Sequence, residues 1–143
     1  MIIKKSEHIS KSEEETKRIA LNFIKEIEPG SVIVLNGQLG TGKTFIVKKI
    51  AEYFNISNTS SPTFAIVNEY LGDRKIYHFD FYRINSINEL HDIGFEDYIS
   101  DTEAIIFIEW GELFPEILPH SRYEISIDFL EEDTRKIVIR KYE

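Results

Sequence analysis

An apolar run, Val32-Ile33-Val34-Leu35-Asn36, feeds without a break into Gly37-Gln38-Leu39-Gly40-Thr41-Gly42-Lys43-Thr44. The octapeptide fits G-x-x-x-x-G-K-[ST] at every fixed position. Its glycines open backbone conformations closed to other residues, so that successive N–H groups turn inward around an anion. Behind it, Ile46, Val47, Ile50, Ala51 and Phe54 recur at helical spacing with one apolar face. Composition alone would produce the string in about one chain in a few hundred of this length. A strand before it and a helix after it make an accident rarer still. Gly37, Gln38, Leu39, Gly40, Thr41 and Gly42 are therefore candidates to wrap the phosphates of a nucleoside triphosphate. Lys43 supplies a cation for the β- and γ-phosphates, Thr44 a hydroxyl for Mg²⁺, and the helix start its positive dipole end.

The 143 residues suffice for one domain with a real core, and a single domain spanning 1–143 is expected. No 18-residue apolar run and no signal-peptide pattern occur, so a cytoplasmic protein without a membrane partner is expected. The chain has no cysteine, which excludes disulfides, Cys-based zinc sites and thiol catalysis. With 17 basic against 25 acidic residues the net charge is −8, which repels a polyanion unless the basic residues gather on one face. Tight nucleic-acid binding by this chain alone is not expected.

Along the chain, Met1 to Lys5 suggests a short edge strand, followed by a polar stretch to Lys11. Ser10-Lys11-Ser12-Glu13 reads as a capping box, with Ile19, Ala20, Phe23, Ile24 and Ile27 behind it at helical spacing and Pro29-Gly30 as the stop. Glu13-Glu14-Glu15 falls in the first turn, where carboxylates favour the helix dipole and face water. Asn55 to Pro62 has loop composition. Ala65 to Leu71 and Lys75 to Phe81 predict an antiparallel hairpin turning at Gly72-Asp73. Ser86-Ile87-Asn88-Glu89 opens a short helix that Gly94 interrupts, Ala104 to Glu109 is a buried-type strand, and Tyr123–Phe129 with Lys136–Lys141 forms a final hairpin. The order predicts an α/β three-layer domain of P-loop NTPase type with a mixed parallel and antiparallel sheet.

Binding a nucleotide needs only the loop, whereas hydrolysis also needs an acid for the metal and a group that positions water. Two apolar strands end in acids, Ile105-Ile106-Phe107-Ile108-Glu109 and Ile76-Tyr77-His78-Phe79-Asp80. Alternation puts His78, Asp80 and Tyr82 on one face and Tyr77, Phe79 and Phe81 on the other. The polar row either faces a cleft or merely meets solvent, and pattern alone divides these readings evenly. Thr59-Ser60-Ser61-Pro62-Thr63-Phe64 is a hydroxyl-rich loop where nucleoside triphosphatases often keep a γ-phosphate sensor, although its composition also suits an inert connection.

Taken together, Gly37 to Thr44, Ser61-Pro62-Thr63-Phe64, His78-Phe79-Asp80-Phe81-Tyr82-Arg83 and Ile108-Glu109-Trp110 closely resemble the bacterial TsaE (YjeE) family across almost the whole chain. The resemblance implies a small ATPase that serves threonylcarbamoyladenosine synthesis at position 37 of tRNAs reading codons that begin with A. It implies ATP and Mg²⁺ as ligands, and TsaB and TsaD as partners that hold the tRNA and perform the transfer. Carried across, Lys43 contacts phosphates and Thr44 holds Mg²⁺. Asp80 and Glu109 serve metal and water in an undecided division, Thr63 is the switch hydroxyl, and Trp110 lies beside the nucleotide.

Of three competing functions, two have signals of their own. A small-molecule kinase would usually bring an Arg-rich lid, but Arg74, Arg83, Arg122, Arg135 and Arg140 are scattered, and a GTPase would show N-K-x-D and D-x-x-G, which do not occur. A nucleotide-dependent assembly switch with little catalysis looks the same in sequence as a slow ATPase.

Overall fold

The computed structural model describes residues 1–38, 40–56 and 66–143. Seven strands, β1 (Ile2–Ser10), β2 (Val32–Asn36), β3 (Val67–Leu71), β4 (Lys75–Asp80), β5 (Ala104–Glu109), β6 (Arg122–Glu131) and β7 (Thr134–Tyr142), form one sheet in the spatial order β1-β7-β6-β2-β5-β4-β3. Among the described residues the α-helices are α1 (Glu13–Ile24), α2 (Lys43–Tyr53), α3 (Ile87–Asp92) and α4 (Phe95–Ile99). β2 runs parallel to both β5 and β6, and β4 parallel to β5. The β3–β4, β6–β7 and β1–β7 pairs are antiparallel, so the expected mixed sheet is observed.

The central strands are apolar on both faces because both faces are covered. On one side Ile33, Leu35, Ile76, Ile105, Phe107, Ile125 and Ile127 pack under Ala20, Phe23 and Ile24 of α1 and Ile46, Val47, Ile50 and Ala51 of α2. On the other, Val32, Val34, Tyr77, Phe79, Ile106 and Ile108 meet Leu90 of α3 and Phe95 of α4. These are the three predicted layers. Phe107 is fully buried, and truncating it to Ala would cost about 3–5 kcal/mol. No helix among the described residues is long and apolar enough to cross a membrane.

Two local expectations shift. β1 reaches Ser10 instead of ending near Lys5, since it pairs antiparallel with β7 from Ile2↔Tyr142 to Ser10↔Arg135. An edge strand half open to water tolerates the polar Ser6 and Glu7 that made this stretch look irregular. The α1 cap is accordingly Ser12, not Ser10: Ser12 Oγ accepts from Glu15 N at 3.1 Å, while Glu15 Oε2 accepts from Lys11 N at 3.2 Å. Ser10 is buried at the end of β1 and shares a 2.6 Å hydrogen bond with Thr16 of α1.

Candidate functional site

β2, β4 and β5 are parallel and end side by side, which puts their C-terminal residues at the edge where open α/β sheets bind ligands. The loop leaving β2 must pass close to β6. A Cβ on Gly37 would stand 2.7 Å from the Ile127 carbonyl oxygen and 2.8 Å from Thr41 Oγ1, so only glycine fits there. Thr41 is buried and donates its hydroxyl to the Gln38 carbonyl at 2.8 Å, closing the loop on itself. Gly42 caps α2 with φ 115, in the left-handed region, and its carbonyl accepts from Ile46 N.

Lys43 opens α2 and is almost entirely buried. Its Nζ donates to the Gly37 carbonyl at 2.6 Å and stands 3.8 Å from the centre of the Trp110 ring. Thr44 Oγ1 donates to the Glu109 carboxylate, 3.2 and 3.3 Å from its two oxygens. Glu109 ends β5 and is buried with His78 of β4, whose Nε2 lies 2.5 Å from Glu109 Oε2. Asp80 pairs with Glu109 in the β4–β5 register. Its carboxylate turns to its own chain, where Oδ1 accepts from Tyr82 N at 3.0 Å and caps a 3-10 turn over Phe81–Arg83. Among the described residues Asp80 hydrogen-bonds neither Thr44 nor Glu109.

Trp110 follows Glu109 with φ 62, a left-handed conformation that costs a bulky residue about 1–2 kcal/mol. The turn aims its indole at Lys43, and Tyr82 lies against it with ring centres 5.1 Å apart. Such an outlier, observed beside a cluster of polar groups, marks a position where backbone strain is tolerated for the sake of the side chain's direction.

The predicted polar row therefore divides. His78 is buried against Glu109, Asp80 caps a turn, and Tyr82, past the end of β4, is more than half exposed on the Trp110 ring. Neither of the two readings left open, a row facing a cleft or one meeting solvent, holds for all three residues, because the chain leaves the sheet after Asp80. Gly37, Lys43, Thr44, Glu109 and Trp110 are brought together at the ends of β2 and β5. Leu39, Thr63 and the loop segment 57–65 lie outside the described residues. The partnership of His78 with Glu109 was missed. Its signal was the i, i+2 spacing from His78 to Asp80, which needed the β4–β5 register to be interpreted.

Thr44 and Glu109 offer hard oxygen donors at one point, the chemistry Mg²⁺ prefers when it is held by one or two protein oxygens together with phosphates. Among the described residues no cluster of three or more His, Cys, Asp or Glu forms an all-protein metal cage. A separate groove of about 690 Å³ lies between α1 and the strands β1, β6 and β7, and contains none of these residues. Lys4 and Glu26 stand 3.8 Å apart across it, and its charges are mixed, so the convergence of chemistry is at the strand ends and not in this groove.

Residues 10–137 match the profile of the family described as "Threonylcarbamoyl adenosine biosynthesis protein TsaE". A Rickettsia bellii protein named tRNA threonylcarbamoyladenosine biosynthesis protein TsaE is 39% identical over 133 residues, covering 91% of this chain and 91% of that protein. A Bacillus subtilis protein of the same name is 39% identical over 126 residues, covering 87% and 78%. The crystal structure of Bacillus subtilis YdiB is similar at a TM-score of 0.82 and 32% identity, over 100% of this chain and 88% of that one. With a family match across nearly its full length and relatives this similar, the chain belongs to the TsaE family.

Proposed function

We propose that the protein binds ATP with Mg²⁺ and hydrolyses it in the service of tRNA threonylcarbamoyladenosine synthesis, acting with the partner proteins TsaB and TsaD. The observation that carries the reading is the meeting of Thr44 with Glu109 beside Lys43, at the mouth of a glycine loop. In this reading the loop amides from Gly37 to Gly42 and the start of α2 cradle the phosphates. Lys43 exchanges the Gly37 carbonyl and the Trp110 face for β- and γ-phosphate oxygens. Thr44 and Glu109 hold Mg²⁺, with Asp80 one strand over to help hold the metal or orient water. When bound, the ion neutralises charge that develops on the phosphoryl oxygens. Water adds to the γ-phosphorus as its bond to the bridging oxygen breaks, the bonding pair leaves on ADP, and the water's proton passes to solvent or phosphate.

The role in tRNA modification is supported by the names of the relatives, and the partner pair by the motif resemblance. Access to tRNA runs through those partners. Turnover by the protein alone is expected to be slow and to rise when the TsaB–TsaD pair is added. Measuring phosphate release from ATP in both conditions tests the reading, with Lys43→Ala as control. No release above that control with the pair present would overturn it in favour of an assembly switch that binds nucleotide without consuming it.

A further inference from the structure

The geometry points to His78 as a positioning residue that sets Glu109 in place for ATP hydrolysis, an inference that rests on the ATPase reading above. His78 and Asp80 are two apart on β4 and share the sheet face covered by α2. In the parallel β4–β5 register His78 is opposite Phe107, and Asp80 opposite Glu109. The imidazole thus sits one strand over and one step deeper into the sheet than the carboxylate it touches. It meets Glu109 from below and does not itself reach the cleft.

Its surroundings make that contact consequential. Side-chain exposure is 7% for His78 and 6% for Glu109, and both lie among strand residues that are otherwise apolar. A polar ring in such a place costs free energy unless it is hydrogen-bonded, and among the described residues its partner is the Glu109 carboxylate at 2.5 Å. In the tautomer that carries the proton on Nε2, the ring donates to Oε2. The same carboxylate accepts from Thr44, whose hydroxyl spans both of its oxygens at 3.2 and 3.3 Å. A glutamate has three side-chain torsions to fix, and two donors, one from β4 and one from α2, restrict it to one arrangement. A buried histidine that only filled space would have no reason to be paired with the one acid touching the loop's hydroxyl. Groups that orient a ligating carboxylate in this manner typically govern activity by about 10- to 100-fold.

Two variants separate the hydrogen bond from the shape. His78→Phe keeps a ring of similar size and removes the donor, whereas His78→Gln keeps a terminal N–H at similar reach. With the partner pair present, His78→Phe is expected to lower kcat for ATP by about 10- to 100-fold. KM, and ATP affinity read from the fluorescence of Trp110, should stay within about twofold, and His78→Gln should retain most of the wild-type kcat. The contact itself is read without nucleotide: the His78 ring proton should give a slowly exchanging downfield proton resonance that moves or vanishes in Glu109→Gln. A ring resonance indifferent to Glu109→Gln overturns the inference even if His78→Phe fails to fold. So does His78→Phe turning over at the wild-type rate, or His78→Gln being as impaired as His78→Phe. Wild-type protein that consumes no ATP would instead overturn the ATPase reading and this inference with it, a result recognisable before any variant is made.

Discussion

Lys43 Nζ rests 3.8 Å from the centre of the Trp110 ring while donating to the Gly37 carbonyl at 2.6 Å, so the one cation of the loop motif is held by an aromatic face and a backbone oxygen. A desolvated ammonium over indole is worth about 2 kcal/mol, and a phosphate must offer more to draw it away. Trp110 is held in its left-handed turn in a position to report that exchange.

The chain has a single tryptophan, so ATP binding is expected to change its intrinsic fluorescence directly. Lys43→Ala should remove most of the change and weaken ATP by about 2 kcal/mol, roughly thirtyfold in Kd, the scale of a lost charge-assisted hydrogen bond. A titration in which the variant binds ATP as tightly as wild type would sink the assignment of the loop.

Glu109→Gln should lower turnover by about a hundredfold while ATP still binds if, as proposed, the loop amides hold the phosphates and the carboxylate acts on metal and water. Glutamine is the informative replacement, since alanine would strand the buried His78 ring and the Thr44 hydroxyl at a cost of about 1–3 kcal/mol. Asp80→Ala should also slow hydrolysis, and it removes the cap on Tyr82 N, worth about 1 kcal/mol. Steady-state rates with the partner pair, beside melting curves, distinguish the two effects. Wild-type turnover in either variant would remove that residue from the mechanism.

Gly37→Ala is expected to destabilise the protein by about 1–3 kcal/mol and to impair ATP binding together with folding. The added methyl would meet the Ile127 carbonyl and Thr41 Oγ1 at 2.7 and 2.8 Å, and backbone on β6 cannot move aside as a flexible side chain can. Thermal unfolding should show the loss. An unchanged melting temperature would mean that the loop does not pass this close to β6 in solution.

Much of this site was legible because its chemistry is local in sequence. A strand, glycine turn, Lys-Thr and helix are adjacent along the chain, and β5 announced itself as an unbroken apolar run ending in Glu109, buried from Ala104 onward. What escaped depends on register. Nothing in His78-Phe79-Asp80 says which neighbour runs parallel, so the Asp80↔Glu109 alignment, and with it the contact of His78 to Glu109, appears only once β4 and β5 are paired. The cap of α1 was misplaced for a similar reason. Ser10 and Ser12 are both capping residues by type, and only the length of the β1–β7 ladder decides that Ser10 belongs to the strand.

At the opposite end of β4 and β5, Asp101 supplies a test by pH. Its Oδ2 accepts from Tyr77 Oη at 2.6 Å and from Lys75 Nζ at 2.9 Å, and its Oδ1 from Glu103 N. These bonds, the tyrosine's foremost, hold its carboxyl down to about 2, against an ordinary 3.8. A carboxyl lowered on folding adds stability above its unfolded value and loses it as pH falls toward the folded one. The advantage of wild type over Asp101→Asn in unfolding experiments should therefore be constant from neutral pH to about 4 and vanish between about 4 and 2. A difference that persists at pH 2, or one that disappears at pH 6, would show that the ionised carboxylate is not its source.

The isolated protein should bind tRNA weakly, with what affinity it has lost quickly as salt rises. Each phosphate neutralised by Lys or Arg releases counterions, so affinity depends on how many free cations one face can present. Here the net charge is −8, and seven of the 17 basic residues stand beside acids. Lys4 lies near Glu26, Lys5 and Lys136 near Glu7, Lys49 near Glu52, Lys75 near Asp101, Arg122 near Glu124 and Lys141 near Glu143, each within 4.0 Å. The strongly basic β7, with Arg135, Lys136, Arg140 and Lys141, is thereby screened along part of its length by Glu7 and Glu143. A tRNA would have to displace these carboxylates as well as its own counterions, and exposed pairs of this kind give back little when broken. Filter binding across a salt series should find no submicromolar complex at physiological ionic strength, and only a shallow gain at low salt. Tight binding by the protein alone would mean that a basic face exists which these pairings do not leave, and that contact with tRNA does not have to pass through the partner proteins.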